Sequence, residues 1–144
     1  MKERQKERMT VFLCIDDRGG MLFNKRRQSR DSKLIADVCE TVGDGILYVS
    51  DFSEMLFSES ECSVISIPAP LGMAKKDGFV FVENFHIGDF LENIDTLIIY
   101  KWNKKYPYDF SLDVIPEQCG YTLTEKFDFC GSSHEKITKE IYKK

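Results

Sequence analysis

The sequence predicts one α/β domain with a mixed, mostly parallel sheet of about seven or eight strands. Helices are expected on both faces of the sheet, and an antiparallel hairpin at its C-terminal edge. Two observations predict this fold. Up to Trp102, short apolar runs typical of buried strands alternate with helical patterns, which favours parallel pairing. Beyond Trp102, strand-like runs follow one another with only turns between them, which favours antiparallel pairing.

Each element has its own signal in the chain. Apolar or alternating runs predict strands at residues 10–16, 45–50, 63–67, 79–82, 96–102, 110–114, 121–129 and 135–143. Helices are predicted at residues 32–42, 51–58 and 87–93, and loops at 21–31 and 72–78. The first helix has Ser29 or Asp31 as its N-cap and Gly43 as its stop.

Composition limits the class of protein. The chain of 144 residues is 42% hydrophobic, enough for one core, and we expect a charged arm at 1–8 and a single domain at 9–144. No apolar run is long enough to span a bilayer, and no secretory signal is seen, so a cytoplasmic protein without membrane contact is expected. The net charge of −4 gives no support for nucleic-acid binding.

Five scattered cysteines without a CxxC pair predict neither a disulfide framework nor a structural zinc site.

The order of elements resembles a known enzyme fold. An opening strand, VFLCIDDRGG, is followed by an acidic residue, Asp31, at the first helix. The stretches ILYVSDFSEMLF and FVFVENFHIGDFLENIDTLIIYKW come next, and the tail is YTLTEKFDF…HEKITKEIY. From Met9 onward this layout is similar to that of dihydrofolate reductase.

The resemblance implies where a cofactor would bind, and the chain departs from the family there. The reductases hold the NADPH pyrophosphate on a Gly-Gly pair between a strand and a helix, and Glu83-Asn84 stand in that place. A second signature, a glycine and a basic residue after the second strand, is replaced by Ser50-Asp51. The family's tryptophan before the helix is also missing. We therefore expect no cofactor and no reductase activity.

Three segments also resemble a Firmicute-type bacterial family whose function is not established. They are FNKRRQS at 23–29, KWN-K-YP at 101–107 and GSSHEKITKE at 131–140. Members of that family often carry an automatic ribonuclease Z label. That enzyme needs an HxHxDH motif and further ligands for two zinc ions, whereas this chain has only His86 and His134. The residues predict that it is not a metallo-hydrolase and has no metal site.

The most distinctive candidate site is the basic segment KRRQSRDSK at residues 25–33. Arg26 and Arg27, helped by Gln28 and Ser29, are suited to clamp a phosphate or carboxylate beside the positive end of a helix, and Asn24 is expected in the same ligand site. Asp31 is expected to pair with only one of the two guanidinium groups, leaving the other for a ligand. The alternative is that both arginines pair with acids such as Asp16, Asp17 or Asp31.

Two further groups complete the candidate site. Lys101 and Asn103 lie at the carboxyl end of a predicted strand, where open α/β sheets bind ligands. Ser132, Ser133 and His134 form a donor-rich turn suited to an anion. The alternatives are an edge Trp102 that packs under the loop with Lys101 and Asn103 solvated, and an ordinary hairpin turn at 131–134. Ser133-His134-Glu135 is not a hydrolase relay, because neighbours in a strand point to opposite faces.

These features predict a domain that binds a small anionic ligand and does not act as an NADPH-dependent reductase. The alternative is a protein-interaction module whose old cofactor cleft is filled or serves as a docking surface. No catalytic residue is assigned, and the sequence leaves open both enzymatic activity and oligomeric state.

Overall fold

The computed structural model describes residues 8–74 and 77–144, so the predicted charged arm at 1–8 lies outside it except for Arg8. Within these residues the strands are β1 (Met9–Ile15), β2 (Gly20–Phe23), β3 (Arg26–Arg27), β4 (Ile46–Val49), β5 (Ser63–Ser66), β6 (Phe79–Val82), β7 (Ile94–Lys101), β8 (Phe110–Ser111), β9 (Thr122–Phe129) and β10 (Ile137–Lys143). The helices are α1 (Ser32–Val42), α2 (Asp51–Glu54) and α3 (Pro70–Met73), with 3₁₀ turns at Met55–Phe57, Gly88–Asn93 and Pro116–Cys119. None of the helices described is long and apolar enough to cross a membrane.

Seven strands form the main sheet, in the order β5-β4-β6-β1-β7-β10-β9. The first five run parallel, while β10 is antiparallel to both β7 and β9. The predicted mixed, mostly parallel sheet with an antiparallel C-terminal hairpin is therefore confirmed.

Apolar side chains cover both faces of this sheet. On one face the buried residues of α1, Leu34, Val38 and Val42, pack with strand residues such as Phe12 and Ile98. On the other face, a second cluster is formed around β1 and β7 by residues of the connecting segments such as Leu71 and Ile87. Two separate apolar layers hold the sheet between them, as the prediction of helices on both faces requires.

Helix α1 begins and ends where the sequence predicts. The Oδ1 atom of Asp31 accepts from the amides of Lys33 (2.9 Å) and Leu34 (3.3 Å), so Asp31 rather than Ser29 is the N-cap. Gly43 ends the helix with φ of 57°, a left-handed value that glycine adopts without a steric penalty.

The segment 21–31 was predicted as a loop, and this is wrong for its first half. Strands β2 and β3 form a hairpin in which Phe23 pairs with Arg26. Its turn residues, Asn24 and Lys25, have φ of 51° and 62°, values that a two-residue hairpin turn requires. The Asn-Lys pair lacks the glycine that usually marks such a turn, so the hairpin has only a weak signal in the sequence.

Other boundaries differ more modestly. The predicted helix at 87–93 is a 3₁₀ turn, and the predicted loop at 72–78 begins inside α3. Only Phe110–Ser111 of the predicted strand at 110–114 is extended, and it pairs with β2 in a small three-stranded sheet. Residues 75 and 76 lie outside the described part of the chain.

The cysteine prediction also needs correction, because Cys39 and Cys62 are joined by a disulfide with their Cα atoms 5.1 Å apart. Cys39 lies on the sheet-facing side of α1, and Cys62 directly precedes the edge strand β5. The packing of α1 over that edge brings together two thiols separated by 23 positions in sequence. Cys14, Cys119 and Cys130 are free.

Candidate functional site

The candidate site lies at the carboxyl edge of the parallel strands. Asp16, Glu83 and Trp102 directly follow β1, β6 and β7, which run in the same direction and are neighbours in the sheet. The β2–β3 hairpin and the segment leading to α1 contribute side chains to the same edge. This is the place where open α/β sheets bind ligands.

Arg27 is held in a bidentate ion pair with Glu83. Its Nε lies 2.8 Å from Oε2 of Glu83, and one terminal nitrogen lies 2.9 Å from Oε1. The same guanidinium donates to the carbonyl of Phe52 and lies over the Phe52 ring, 4.8 Å from its centroid. Ser53 donates to Glu83 at 2.7 Å. Arg27 is therefore a structural cation, which agrees with the predicted alternative, although its partner is an acid that was not considered for this role.

Arg26 is in a different situation from its neighbour. Adjacent residues of a strand point to opposite faces, and the Arg26 side chain is exposed and forms no ion pair with any described residue. It lines an open cavity of about 550 Å³. We call this the Arg26 cavity; it is lined by Phe23, Asn24, Arg26, Arg27, Gln28, Tyr106 and Pro107. Four predicted site residues thus converge there, and none of the lining residues is acidic.

Gln28 lines the Arg26 cavity and carries a buried side-chain oxygen. Its Nε2 donates weakly to Asp16 (3.3 Å) and to the carbonyl of Pro107 (3.4 Å). Its Oε1 is buried without a hydrogen-bond partner among the described residues. A buried polar atom without a partner is costly, and a ligand N–H or O–H could reach this oxygen only after the Gln28 side chain moves.

Asp16 holds the far wall of the cavity in place. Its carboxylate accepts from the amides of Arg18 (2.9 Å), Gly20 (2.8 Å) and Tyr106 (3.1 Å). Burial alone raises the pKa of Asp16, but these hydrogen bonds outweigh burial and bring the pKa below its ordinary value. The carboxylate is therefore a fixed acceptor that ties the Tyr106 backbone to the end of β1.

Asp31 does not pair with an arginine, which corrects the prediction. It accepts instead from the amides of Ser132 (2.9 Å) and Ser133 (2.8 Å) and from Nδ1 of His134 (3.0 Å). These four residues form what we call the Asp31 junction. The Asp31 side chain is fully buried, and an added Cβ at Gly131 would collide with its Oδ2.

The charge of Asp31 is well compensated. Burial alone raises its pKa, but the amides of Ser132 and Ser133 and the His134 ring outweigh burial, and the pKa lies far below its ordinary value. The turn at 131–134 therefore uses its donors on Asp31. The prediction that this turn holds an external anion is wrong, because an internal carboxylate already occupies it.

His134 connects the Asp31 junction to the Arg26 cavity. The ring is buried and stacks on Trp102 with centroids 4.6 Å apart. Its Nε2 lies 3.0 Å from the hydroxyl of Ser29 and 3.1 Å from that of Tyr106. Since Asp31 accepts at Nδ1, that nitrogen carries the proton and Nε2 is left as the acceptor.

The remaining two predicted residues lie elsewhere. Lys101 pairs with Glu140 at 3.0 Å across the sheet, and Glu140 also lies 3.7 Å from Lys126. Asn103 donates to the carbonyl of Lys136 and to the hydroxyl of Thr138. The structure brings neither into the Arg26 cavity, and both have partners on the neighbouring strand β10 or the residue before it.

A second, inner cavity lies between the hairpin and α1. It encloses only about 20 Å³ and is lined by residues such as Ser29, Asp31, Glu83 and Trp102. Space of this size admits about one water molecule. Among the described residues, no group of three or more His, Cys, Asp or Glu side chains could hold a metal ion.

Sequence reasoning missed three residues of this region. Glu83 was considered only as a departure from a glycine pair, Ser29 only as an N-cap or a helper of the two arginines, and Tyr106 only as part of a shared segment. Ser29 and Tyr106 lie 105 and 28 positions from His134 in sequence. No local pattern indicates contacts over such separations.

The sheet order and the edge-located cavities define an α/β protein of the dihydrofolate reductase-like fold. A dihydrofolate reductase from Enterococcus faecalis, in a complex with NADP(H) and RAB-propyl, matches with a TM-score of 0.69. The match covers 96% of this chain and 96% of that one at 8% sequence identity, so it shows the fold alone. No protein-family model and no curated sequence matches, and the ribonuclease Z label gains no support from them.

Proposed function

We propose that the protein binds a small anionic ligand in the Arg26 cavity and does not act as an NADPH-dependent reductase. The observation that carries this proposal is the exposed Arg26 guanidinium, which lines a cavity of about 550 Å³ without an ion-pair partner in the described chain. An arginine presents a fork of donors that matches a carboxylate or phosphate.

The neighbouring groups favour a ligand with more than a charge. Gln28 contributes an amide side chain to the cavity wall, and Phe23 and Tyr106 offer ring surfaces on the same cavity. A small aromatic or heterocyclic acid bearing an N–H or O–H group would use all of these groups. Inorganic phosphate or sulfate would use Arg26 alone and bind more weakly.

The absence of reductase activity is argued from Glu83. In related folds the residue that follows the corresponding strand helps to hold the cofactor phosphates. Here Glu83 is engaged by Arg27 and Ser53. A dinucleotide placed over this strand end would have to displace the ion pair or accept a carboxylate beside its phosphates. Either costs binding free energy.

The test is a thermal-shift screen of the purified chain with phosphate, sulfate, small aromatic carboxylates, pterins and nucleotides. A ligand at 100 times its Kd stabilises the fold by about 2.7 kcal/mol, which is readily seen as a higher melting temperature. The Arg26→Gln variant should lose this stabilisation, and Lys33→Gln, an exposed cation of the same segment that lines neither cavity, should keep it. An equal response from all three proteins would refute the site.

A separate titration follows NADPH fluorescence in the presence of the protein. We expect no binding, and micromolar affinity would contradict the second half of the proposal. The alternative of an interaction module is favoured by one observation, the nearly filled inner cavity. It would take precedence if no anion stabilises the wild-type protein.

A further inference from the structure

We propose that Ser29, His134 and Asp31 form a catalytic relay that transfers short acyl groups to water. The three side chains are connected in the order that such chemistry needs. The Ser29 hydroxyl lies 3.0 Å from Nε2 of His134, and Nδ1 of the same ring lies 3.0 Å from Oδ2 of Asp31. This reaction is independent of anion binding at Arg26.

The protonation pattern suits the role of each group. Asp31 accepts from Nδ1, which fixes the tautomer and leaves the Nε2 lone pair facing the Ser29 hydroxyl. Asp31 is kept ionised by its other donors, so it can stabilise the imidazolium that forms when His134 takes a proton. Asp31 is thus a positioning residue, and Ser29 is the nucleophile.

The ring of His134 is also fixed against rotation. Trp102 stacks on one side, and the Ser133 hydroxyl lies 3.2 Å from Nδ1. The Tyr106 hydroxyl shares Nε2 at 3.1 Å, so it competes with Ser29 as a donor when no substrate is present. Preorganisation of this kind is what general-base catalysis requires, since the acceptor must already face the nucleophile.

Ser29 is reachable from a cavity. It is partly exposed and lines the inner cavity of about 20 Å³. This cavity has space for about one water molecule, so only a short acyl group that enters from the partly exposed side of Ser29 could approach the hydroxyl. The backbone N–H of Arg30, which directly follows the nucleophile, donates to no acceptor in the described chain. It is available to an oxyanion that develops beside Ser29.

The reaction balances with water as the only co-reactant. Ser29 Oγ bonds to the acyl carbon, its proton passes to Nε2, and the carbonyl electron pair moves to oxygen. That pair returns as the bond to the leaving alcohol breaks, and the alcohol takes the proton from Nε2. Water then attacks the acyl-serine, loses a proton to Nε2, and the proton returns to Ser29 Oγ as the carboxylic acid leaves.

The first test uses a fluorophosphonate probe on the intact chain, with mass spectrometry to locate the adduct. We expect one adduct, on Ser29, and hydrolysis of p-nitrophenyl acetate that falls by roughly a hundredfold or more in Ser29→Ala. Ser58→Ala, which removes an exposed hydroxyl elsewhere, should retain both activities. An adduct on Tyr106, or wild-type rates equal to those of Ser29→Ala, would overturn the proposal.

A second variant covers the case in which the probe is too large for the inner cavity. In Ser29→Cys, His134 should draw the proton from the introduced thiol and make it a strong nucleophile. Iodoacetamide should then modify position 29 faster than Cys130, the exposed native thiol. Modification at position 29 that is no faster than at Cys130 would overturn the relay.

Discussion

Asp31 and Arg26 lie five residues apart, yet their charges have opposite surroundings. The charge of Asp31 is compensated inside the Asp31 junction, whereas the charge of Arg26, in the Arg26 cavity, is left without an ion-pair partner among the described residues. At the junction, two amides and an imidazole surround a fully buried carboxylate, and little remains for a ligand to contribute. In the cavity, an exposed guanidinium has no ion-pair partner in the described chain. Satisfied groups stabilise the fold, and unsatisfied ones mark where an external molecule gains most.

The largest effect is expected from Asp31→Asn. The buried amides of Ser132 and Ser133 and the His134 ring would face an uncharged group that also presents donors. We expect a loss of about 3 kcal/mol in the free energy of unfolding, as for a broken buried pair. Urea denaturation measures this loss, with the exposed Asp17→Asn as control. A cost within 0.5 kcal/mol of the control would mean that the junction is not a structural centre.

Gly131→Ala tests the close approach of the turn to Asp31. The added methyl group would contact the Asp31 carboxylate and lie 2.9 Å from the Ile137 side chain. Overpacking of this kind costs about 2 kcal/mol. Gly72→Ala is a matched control, because its Cβ would meet only ordinary contact at 3.8 Å. Equal melting temperatures for the two variants would contradict the geometry of the turn.

Acid should destabilise the fold by protonating the carboxylates of Asp31 and Asp16. Asp31 and Asp16 have pKa values below their ordinary range in the folded state, so below about pH 4 the unfolded chain binds more protons. Their stabilisation is fully present above that pH and is lost as the pH falls, by up to about 1.4 kcal/mol per pH unit for each group. Denaturation from pH 6 to pH 2.5 should show a shallower acid slope in Asp31→Asn than in the wild type. Identical slopes would argue against an ionised Asp31.

The smallest effect on stability is expected at Arg26. Because this side chain is exposed and has no ion pair in the described chain, Arg26→Gln should change the free energy of unfolding by less than about 0.5 kcal/mol. Arg27→Gln should cost more, since it leaves the Glu83 carboxylate without its cation. Chemical denaturation of both variants, without ligand, would show the difference. Similar losses would mean that Arg26 has a structural partner after all.

The sequence predicted the main sheet because strand burial repeats over short distances along the chain. It also predicted the ends of α1, since Asp31 and Gly43 act through neighbouring backbone groups. The hairpin at Asn24-Lys25 was missed, because its turn residues give only a weak signal.

The candidate site was predicted only where its residues are neighbours in the sequence. Asn24, Arg26, Arg27 and Gln28 are adjacent in sequence and share the Arg26 cavity. The partners of Asp31 and Arg27 come from residues 132–134 and 83, and only the folded sheet brings those segments together. Long-range pairing between charges depends on topology, which no local pattern contains.

The Cys39–Cys62 disulfide closes a covalent ring of chain that contains β4 and α2. Two members of that ring, Phe52 and Ser53, supply the carbonyl and the hydroxyl that hold the Arg27–Glu83 ion pair. While the ring is closed, this wall of the inner cavity cannot separate far from α1. Reduction would break this covalent ring, and the segment from Cys39 to Cys62 with its residues Phe52 and Ser53 would be freer to move. We therefore expect reduction of this cysteine pair to make the inner cavity, which Ser29 lines, easier to reach.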